Sequence, residues 1–470
     1  MLGIVAGYFA ISLPRPNYDL PPNSALYARL TDSFLAGRTS LADKPDPRLL
    51  ALPNPYRPNP PYRLHDASLY NGKYYVYYGP VPVLIALLPF KLVTGHHLQS
   101  RVAVPFFCSL GFLCACGAFF GLIRRAAWSC PLWLEVAVVL SLGNTELVCF
   151  LLVRSAFYEV AISSGYFLVM AGFMFAAWSL GLKNRLWFVL LAGLSFGLAV
   201  GCRPHHALVA GLMTAFIAVR FWRSAATLSR FVAPLLVIGV LLAAYNFVRF
   251  DNPFEFGVNL QVTTNPAGPA IHLRMSNLLP GLQRFLLQPP VIDTSFPYLH
   301  PFFDSPFLAY PSKHAGQVYS ANYWTAISQH PQQPDEIFRE AQIGLLPAAP
   351  LSIFGFLSFW LLRRSRRAGT DAGFASWLVS GMQVCSLTTL FLLSATGWAV
   401  GRYLVDFAPL TILASCCAVA GVWQNRGGMS TMWAKLLQVS ILACVAWSIL
   451  FNLAIETPRL DVLRGFLSRL

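Results

Sequence analysis

The sequence predicts an all-α polytopic membrane protein, and three observations carry that prediction. Only 11% of the 470 residues are charged and 56% are hydrophobic, whereas an ordinary soluble domain carries about 25% charged residues. Apolar runs of about 20 residues, long enough to cross a bilayer as helices, recur along most of the chain. The runs are continuous rather than alternating, so helices and not a closed barrel satisfy the backbone in lipid.

The elements follow in order. The first apolar stretch, 1–13, reaches roughly 20 Å as a helix, short of the roughly 30 Å hydrocarbon core. No basic residue precedes it, so it reads as a short first helix or a truncated start rather than a signal peptide. Residues 14–78 are polar and rich in Pro and aromatics. Within them 23–38 predicts a helix lying on the membrane: Asn23 or Ser24 caps it, Leu26, Leu30 and Phe34 form an apolar stripe, and Gly37 ends it. Apolar segments follow at 80–95, 102–123, 131–153, 157–181, 186–202, 205–222 and 231–250, then a second polar loop, then segments at 341–362, 372–396, 403–424 and 432–454. Segment 80–95 is short and carries Pro80, Pro82 and Pro89, which marks it as re-entrant or interfacial.

Orientation comes from the basic turns. Arg124, Arg125, Lys183, Arg185, Arg220, Arg223, Arg230, Arg363, Arg364, Arg366, Arg367, Arg426 and Lys435 occupy alternate connections, against one acid, Asp371. Those connections are expected on the cytoplasmic side. Eleven crossings result, with the N-terminus inside and the long loops outside, in what reads as a bacterial inner membrane. The predicted organisation is a first helix over 1–13, an outer loop with membrane-lying helices over 14–100, transmembrane helices over 101–250, an outer loop over 251–340, and C-terminal transmembrane helices over 341–470.

The formal net charge of +15 lies mostly in short turns between apolar segments. Topology explains it, and nucleic acid is not implied as a partner. The ten cysteines fall within or beside apolar segments, without CxxC spacing, so they read as buried small hydrophobes rather than disulfides or metal ligands. No Walker loop, GxSxG or HExxH is present.

Chemistry-bearing residues gather at the predicted outer face. His65 through Pro80 holds Asp66, Lys73 and five tyrosines: Tyr70, Tyr74, Tyr75, Tyr77 and Tyr78. Tyrosines at headgroup depth are common anchors, and a lysine there can meet a lipid phosphate. Four outward turns carry polar clusters: Arg154, Tyr158 and Glu159; Arg203, His205 and His206; Tyr245 to Glu255 with Arg249; and Arg402, Tyr403 and Asp406. Arg402 and Asp406 are four apart and could pair on one helical face, while Arg154 and Glu159, five apart, suit a pair less well. Adjacent His205 and His206 point in different directions on a helix and are not a metal site by spacing. Arginines suit phosphate, aromatics suit sugar faces or lipid, and a carboxylate can act as a base, so a lipid-phosphate-linked substrate is the economical reading.

In this arrangement the chain resembles polytopic glycosyltransferases of the GT-C superfamily, such as protein O-mannosyltransferases and aminoarabinose transferases. The stretch Tyr27-Ala-Arg-Leu-Thr-Asp-Ser-Phe-Leu-Ala-Gly37 resembles the segment after that family's first helix. Asp66 through Pro82, Arg154-Ser-Ala-Phe-Tyr158-Glu159 and Arg402-Tyr403-Leu-Val-Asp406 resemble its outer loops. The resemblance implies a polyprenyl-phosphate sugar donor, inverting transfer at the outer face, and an outer-loop Asp as base on the acceptor. It allows a divalent cation and implies no other cofactor. The position aligned with that Asp is Asn23-Ser24 here, and an amide cannot take the proton. Asp19 or Asp66 then fills the role, with Lys73, Tyr77, Tyr78, Arg154, Tyr158, Glu159, Arg203, His205, Arg402, Tyr403 and Asp406 as candidates for binding substrate. The competing readings are a transporter or flippase of lipid-linked sugars, for which Glu135 and Glu146 are the deep charges, and an inactive membrane component.

Overall fold

A computed structural model describes residues 1–13, 25–57, 60–144, 147–179, 185–263, 273–292, 299–304, 340–363, 371–426 and 430–456. Asp19, Asn23, Ser24 and Glu146 lie outside them. The described chain is predominantly helical, and five helices are long and apolar enough to cross a membrane. It is an integral membrane protein, and its helices divide between two units.

The first unit comprises Tyr8–Cys114 and Arg154–His272. Helix α1 (Leu2–Ser12) ends in it, and helix α2 (Leu26–Leu35) follows. Leu26 and Leu30 are buried, as their spacing predicts, and Gly37 closes the end with a left-handed φ of 66°. The cap itself falls at extended Ala25, which offers no side-chain acceptor.

Strands β1 (Ala67–Tyr70) and β2 (Lys73–Tyr75) pair antiparallel with Tyr70 opposite Lys73. Asn71 (φ 45°) and Gly72 (φ 69°) make the two-residue turn between them, the conformation that Asn-Gly adopts at least cost. Segment 80–95 becomes a π-helical turn at Val83–Leu87 running into α3 (Leu88–Thr94). Pro89 donates no hydrogen bond and crowds the carbonyl four residues back, which favours the wider turn. Twelve helical residues reach only about 18 Å, in keeping with an interfacial or re-entrant segment.

Helix α4 (Ser100–Arg125) is one of the five helices long and apolar enough to cross a membrane. Beyond α5 (Leu132–Asn144) and α6 (Cys149–Arg154), the first unit resumes with α7 (Phe157–Trp178), α8 (Arg185–Val200), α9 (His206–Phe221) and α10 (Ala225–Phe250). Helix α8 packs against both α7 and α10. Strand β3 (Gln261–Val262) then pairs with β1, placing Val262 opposite Ala67 and Gln261 opposite Ser68. The two polar loops of the sequence are therefore joined in one three-stranded sheet.

The second unit comprises Met1–Gly7, Ala115–Val153 and Leu273–Leu470. The apolar run 131–153, predicted as one segment, is broken here into α5 and α6. Asn452 donates to the Asn144 carbonyl at the end of α5 and accepts from Cys149 Sγ at 3.1 Å. An amphipathic helix, α11 (Met275–Leu287), occupies part of the predicted loop 251–340 and packs on α12 (Asp371–Ala395). The predicted segment 341–362 is broken into four short helical pieces between Leu345 and Leu361. Pro347 and Pro350 lack the donors a continuous helix needs there. Helices α13 (Ala408–Gln424) and α14 (Thr431–Glu456) complete the unit.

Candidate active site

The densest constellation in the first unit centres on Asp66. Its backbone N–H donates to the Val262 carbonyl at 3.0 Å, so the β1–β3 pairing fixes where it sits. Its φ of +58° is in the left-handed region, which turns the residue out of line with the strand it opens. The side chain is about one-tenth exposed. The Tyr158 hydroxyl donates to its Oδ2, and His65 Nε2 lies 3.4 Å from the same oxygen. The other oxygen, Oδ1, is buried with no hydrogen-bond partner among the described residues. A buried carboxylate oxygen left in that state costs free energy unless a donor arrives.

Aromatic rings surround this carboxylate. Tyr77 donates to the hydroxyl of Tyr78, and their centroids are 3.9 Å apart. Tyr78 meets Tyr27, Phe157 and Tyr158 at 5.8, 5.8 and 5.7 Å, and Phe157 stacks on Tyr158 at 4.0 Å. Burial pushes the Tyr78 and Tyr27 phenols well above their ordinary pKa, so both are neutral donors at neutral pH. Arg203 opposes part of the shift at Tyr27, which places its charge near the same cluster. Arg63 also turns toward it: burial lowers its pKa and the Asp66 carboxylate opposes that shift.

Local structure explains why these groups hold their places. The backbone of Gly79 lies against the Gly201 carbonyl, where a Cβ would clash outright, and Val81 N donates to the same carbonyl at 3.0 Å. That backbone docking needs glycine at 79 and anchors the chain just after Tyr77 and Tyr78. Just before them, Arg249 Nη1 donates to the Val76 carbonyl at 2.7 Å while Nη2 donates to Asn246 Oδ1 at 2.6 Å. Arg249 is buried, its guanidinium 4.0 Å from the Tyr245 ring centroid.

Glu159 starts helix α7. Its Oε2 accepts from Ala156 N at 3.1 Å, and its Oε1 is 3.6 Å from Arg154 Nε. Ala156 has no side-chain acceptor, so this is the returning half of a capping box only. The pair that five-residue spacing disfavours forms because Ser155, at φ 40°, reverses the chain between α6 and α7. Arg154 also sits over the Tyr158 ring, 5.1 Å from its centroid.

The remaining candidates are placed less centrally. Lys73 is exposed on the hairpin turn. The rings of His205 and His206 lie 4.3 Å apart, with His206 Nε2 2.6 Å from where a Cβ on Gly165 would stand. Arg402, Tyr403 and Asp406 belong to the second unit, where Gly401–Asp406 is a 3-10 turn. Three residues per turn set positions four apart about 120° out of line, so the α-helical alignment predicted for Arg402 and Asp406 does not apply. Arg402 and Asp406 are both buried in that unit, and Arg402 lies 5.6 Å from the Tyr403 ring centroid. Glu135, a charge the transport reading relied on, stands in the first turn of α5 rather than deep in a span.

Within the first unit the described groups around Asp66 are one carboxylate, phenols, a histidine and cations. That donor set does not fit a hard divalent cation, which takes about six oxygens. Tyr27, Phe157, Arg63 and His65 are the members that sequence reasoning did not select for the site. His65 and Arg63 had a signal in their closeness to Asp66 in sequence, whereas Phe157 had none beyond adjacency to Tyr158.

No family model and no curated protein matches the sequence. Solved structures do resemble the fold. The oligosaccharyltransferase of Archaeoglobus fulgidus in its apo form is 14% identical with a TM-score of 0.46, over 96% of this chain and 55% of that one. ArnT from Cupriavidus metallidurans bound to undecaprenyl phosphate is 12% identical with a TM-score of 0.42, over 97% of this chain and 74% of that one. AglB from Archaeoglobus fulgidus, in complex with an inhibitory peptide and a dolichol-phosphate, gives 12% identity and a TM-score of 0.45, over 96% and 55%. The chain thus spans about half the length of the first of these.

Proposed function

We propose that this protein is a membrane glycosyltransferase that moves a sugar from a polyprenyl-phosphate donor to an acceptor, with Asp66 as the general base. The observation that carries the reading is the Asp66 carboxylate: buried among tyrosines, held at Oδ2 by Tyr158, and with Oδ1 unengaged among the described residues. A base must present a free lone pair to the proton it removes. The acceptor's X–H proton passes to Oδ1 as X bonds to the anomeric carbon from the face opposite the phosphate. The bond from that carbon to the phosphate oxygen breaks, and the polyprenyl phosphate leaves with the electron pair. Inversion at the anomeric carbon follows from in-line displacement.

Arg154 and Arg203, at the aromatic cluster, are the proposed partners of the donor phosphate. Lys73 on the hairpin is a further candidate, for a headgroup phosphate at the membrane surface. Tyr77, Tyr78 and Tyr27 offer ring faces and hydroxyls to the sugar. His205 and Glu159 are assigned supporting roles around those groups. The loops carrying this site are taken to face the non-cytoplasmic side, with eleven crossings and a cytoplasmic N-terminus.

The test uses purified protein in sealed proteoliposomes with a radiolabelled polyprenyl-phosphate sugar inside or outside. Sugar released onto a hydroxyl or amine acceptor, dependent on protein and donor, supports transfer. Movement of intact donor across the bilayer without product would overturn it in favour of transport. Asp19→Asn, tested in parallel, is expected to leave the rate within about threefold, the ordinary scale for a residue outside the chemistry.

A further inference from the structure

We propose that Tyr158 is a positioning residue for Asp66: it acts through the carboxylate rather than on the substrate. This inference rests on the reading of Asp66 as the base. The Tyr158 hydroxyl donates to Asp66 Oδ2, and that bond decides which oxygen faces the acceptor. Of the carboxylate's two oxygens, the one engaged by a phenol is occupied and the other, Oδ1, is presented.

Three contacts make the hydroxyl a fixed donor rather than a mobile one. The ring stacks on Phe157 with centroids 4.0 Å apart and meets Tyr78 edge-on at 5.7 Å. Its backbone is the second residue of α7, whose first turn is closed by the Glu159 carboxylate on Ala156 N. The Arg154 guanidinium lies 5.1 Å from the ring centroid, where it draws on the ring's electron density and strengthens the phenol as a donor. Arg154 in turn is set by Glu159, 3.6 Å from its Nε. The sequence Glu159, Arg154, Tyr158, Asp66 is thus one supported chain of contacts ending on the reacting carboxylate. Groups that position a reacting atom on rigid elements act through orientation, and small displacements there are costly in rate. Among the described residues, His65, Arg63 and Tyr78 also lie near Asp66. None of these three donates to the carboxylate as Tyr158 does.

The experiment is a double-mutant cycle on the full-length protein, reading kcat and donor KM. Tyr158→Phe keeps the ring contacts and removes only the hydroxyl. We expect kcat to fall about tenfold or more, donor KM to stay within about twofold, and the melting temperature to stay near wild type. In an Asp66→Asn background, where an amide has replaced the base, the same change is expected to cost nothing further, because residues that act as a unit are not additive. An equal loss in both backgrounds, or a loss confined to KM, would show Tyr158 touching substrate directly and would overturn the proposal. Unfolding by Tyr158→Phe would show a structural hydroxyl and would overturn it as well. Should Asp66→Asn alone retain full activity, the assignment of the base falls, and that outcome is separate from any result at Tyr158.

Discussion

Asp32 and Asp66 lie in the same unit and in the same polar stretch of sequence, yet the fold treats them oppositely. Asp32, on α2, is ion-paired to Lys91 of α3 through one oxygen and lies 3.2 Å from His97 Nε2 through the other. One of its oxygens is held by a lysine ammonium, and its side chain is 44% exposed. It ties α3 and the turn after it to α2. Asp66 is far more buried, has one oxygen held by a phenol, and has no partner on the other among the described residues. A neutralised, solvated carboxylate is a tether, and a buried one with a bare lone pair is what the proposed function uses as its base. Nothing in residue type separates the two; partners and burial do.

That contrast can be broken or sharpened in order of effect. The largest effect is expected from Asp66→Asn, which should lower kcat by about 10²- to 10⁴-fold, the range general-base catalysis supplies. Next, Arg249→Leu removes the donor to the buried Val76 carbonyl and leaves it unsatisfied. A loss of about 2–4 kcal/mol is expected from the broken charge-assisted bonds, read by denaturation in one detergent. Activity should fall with it, because Val76 precedes Tyr77. Asp32→Asn should cost no more than about 1 kcal/mol, since exposed ion pairs contribute little, with transfer activity kept.

The smallest effect is a pH dependence at His97. Burial lowers its pKa, and the neighbouring Lys91 ammonium acts in the same direction while Asp32 opposes them. The fold therefore prefers the neutral ring, and the unfolded chain takes up the proton first as pH falls. Stability from this group is present above about pH 6.5, the ordinary histidine value, and is lost as pH drops through the lowered one. His97→Gln should flatten the melting temperature between pH 7 and pH 5 relative to wild type.

The spans were legible in the sequence because composition alone separates them: 102–123, 157–181, 231–250 and 372–396 recur almost unchanged as helices. The breaks were less legible. Pro347 and Pro350 announce the interruption of 341–362, but the end of α5 depends on Asn452, more than three hundred residues away. The amphipathic helix α11 had a signal in Met275, Leu279, Leu282 and Leu286, all on one helical face, obscured by Pro280 and by the long polar stretch that follows. At the site, Asp66 and its tyrosines stood out as a run of residue types. What could not be read was the pairing that gives them meaning. Asp66 is placed by Val262 and held by Tyr158, and such long-range contacts leave no local pattern. The same reasoning explains Glu159, whose residue type suggested substrate and whose geometry caps a helix.

The most direct test sets the two aspartates side by side. Purified wild type, Asp66→Asn and Asp32→Asn are given the same labelled polyprenyl-phosphate sugar, and single-turnover transfer is measured at saturating donor with binding measured separately. The expected result is that Asp66→Asn binds donor as wild type does but transfers at least about a hundredfold more slowly, while Asp32→Asn transfers at a rate within about threefold of wild type. Transfer by Asp66→Asn at the wild-type rate, or equal losses in both variants, would contradict the assignment of Asp66 as the base.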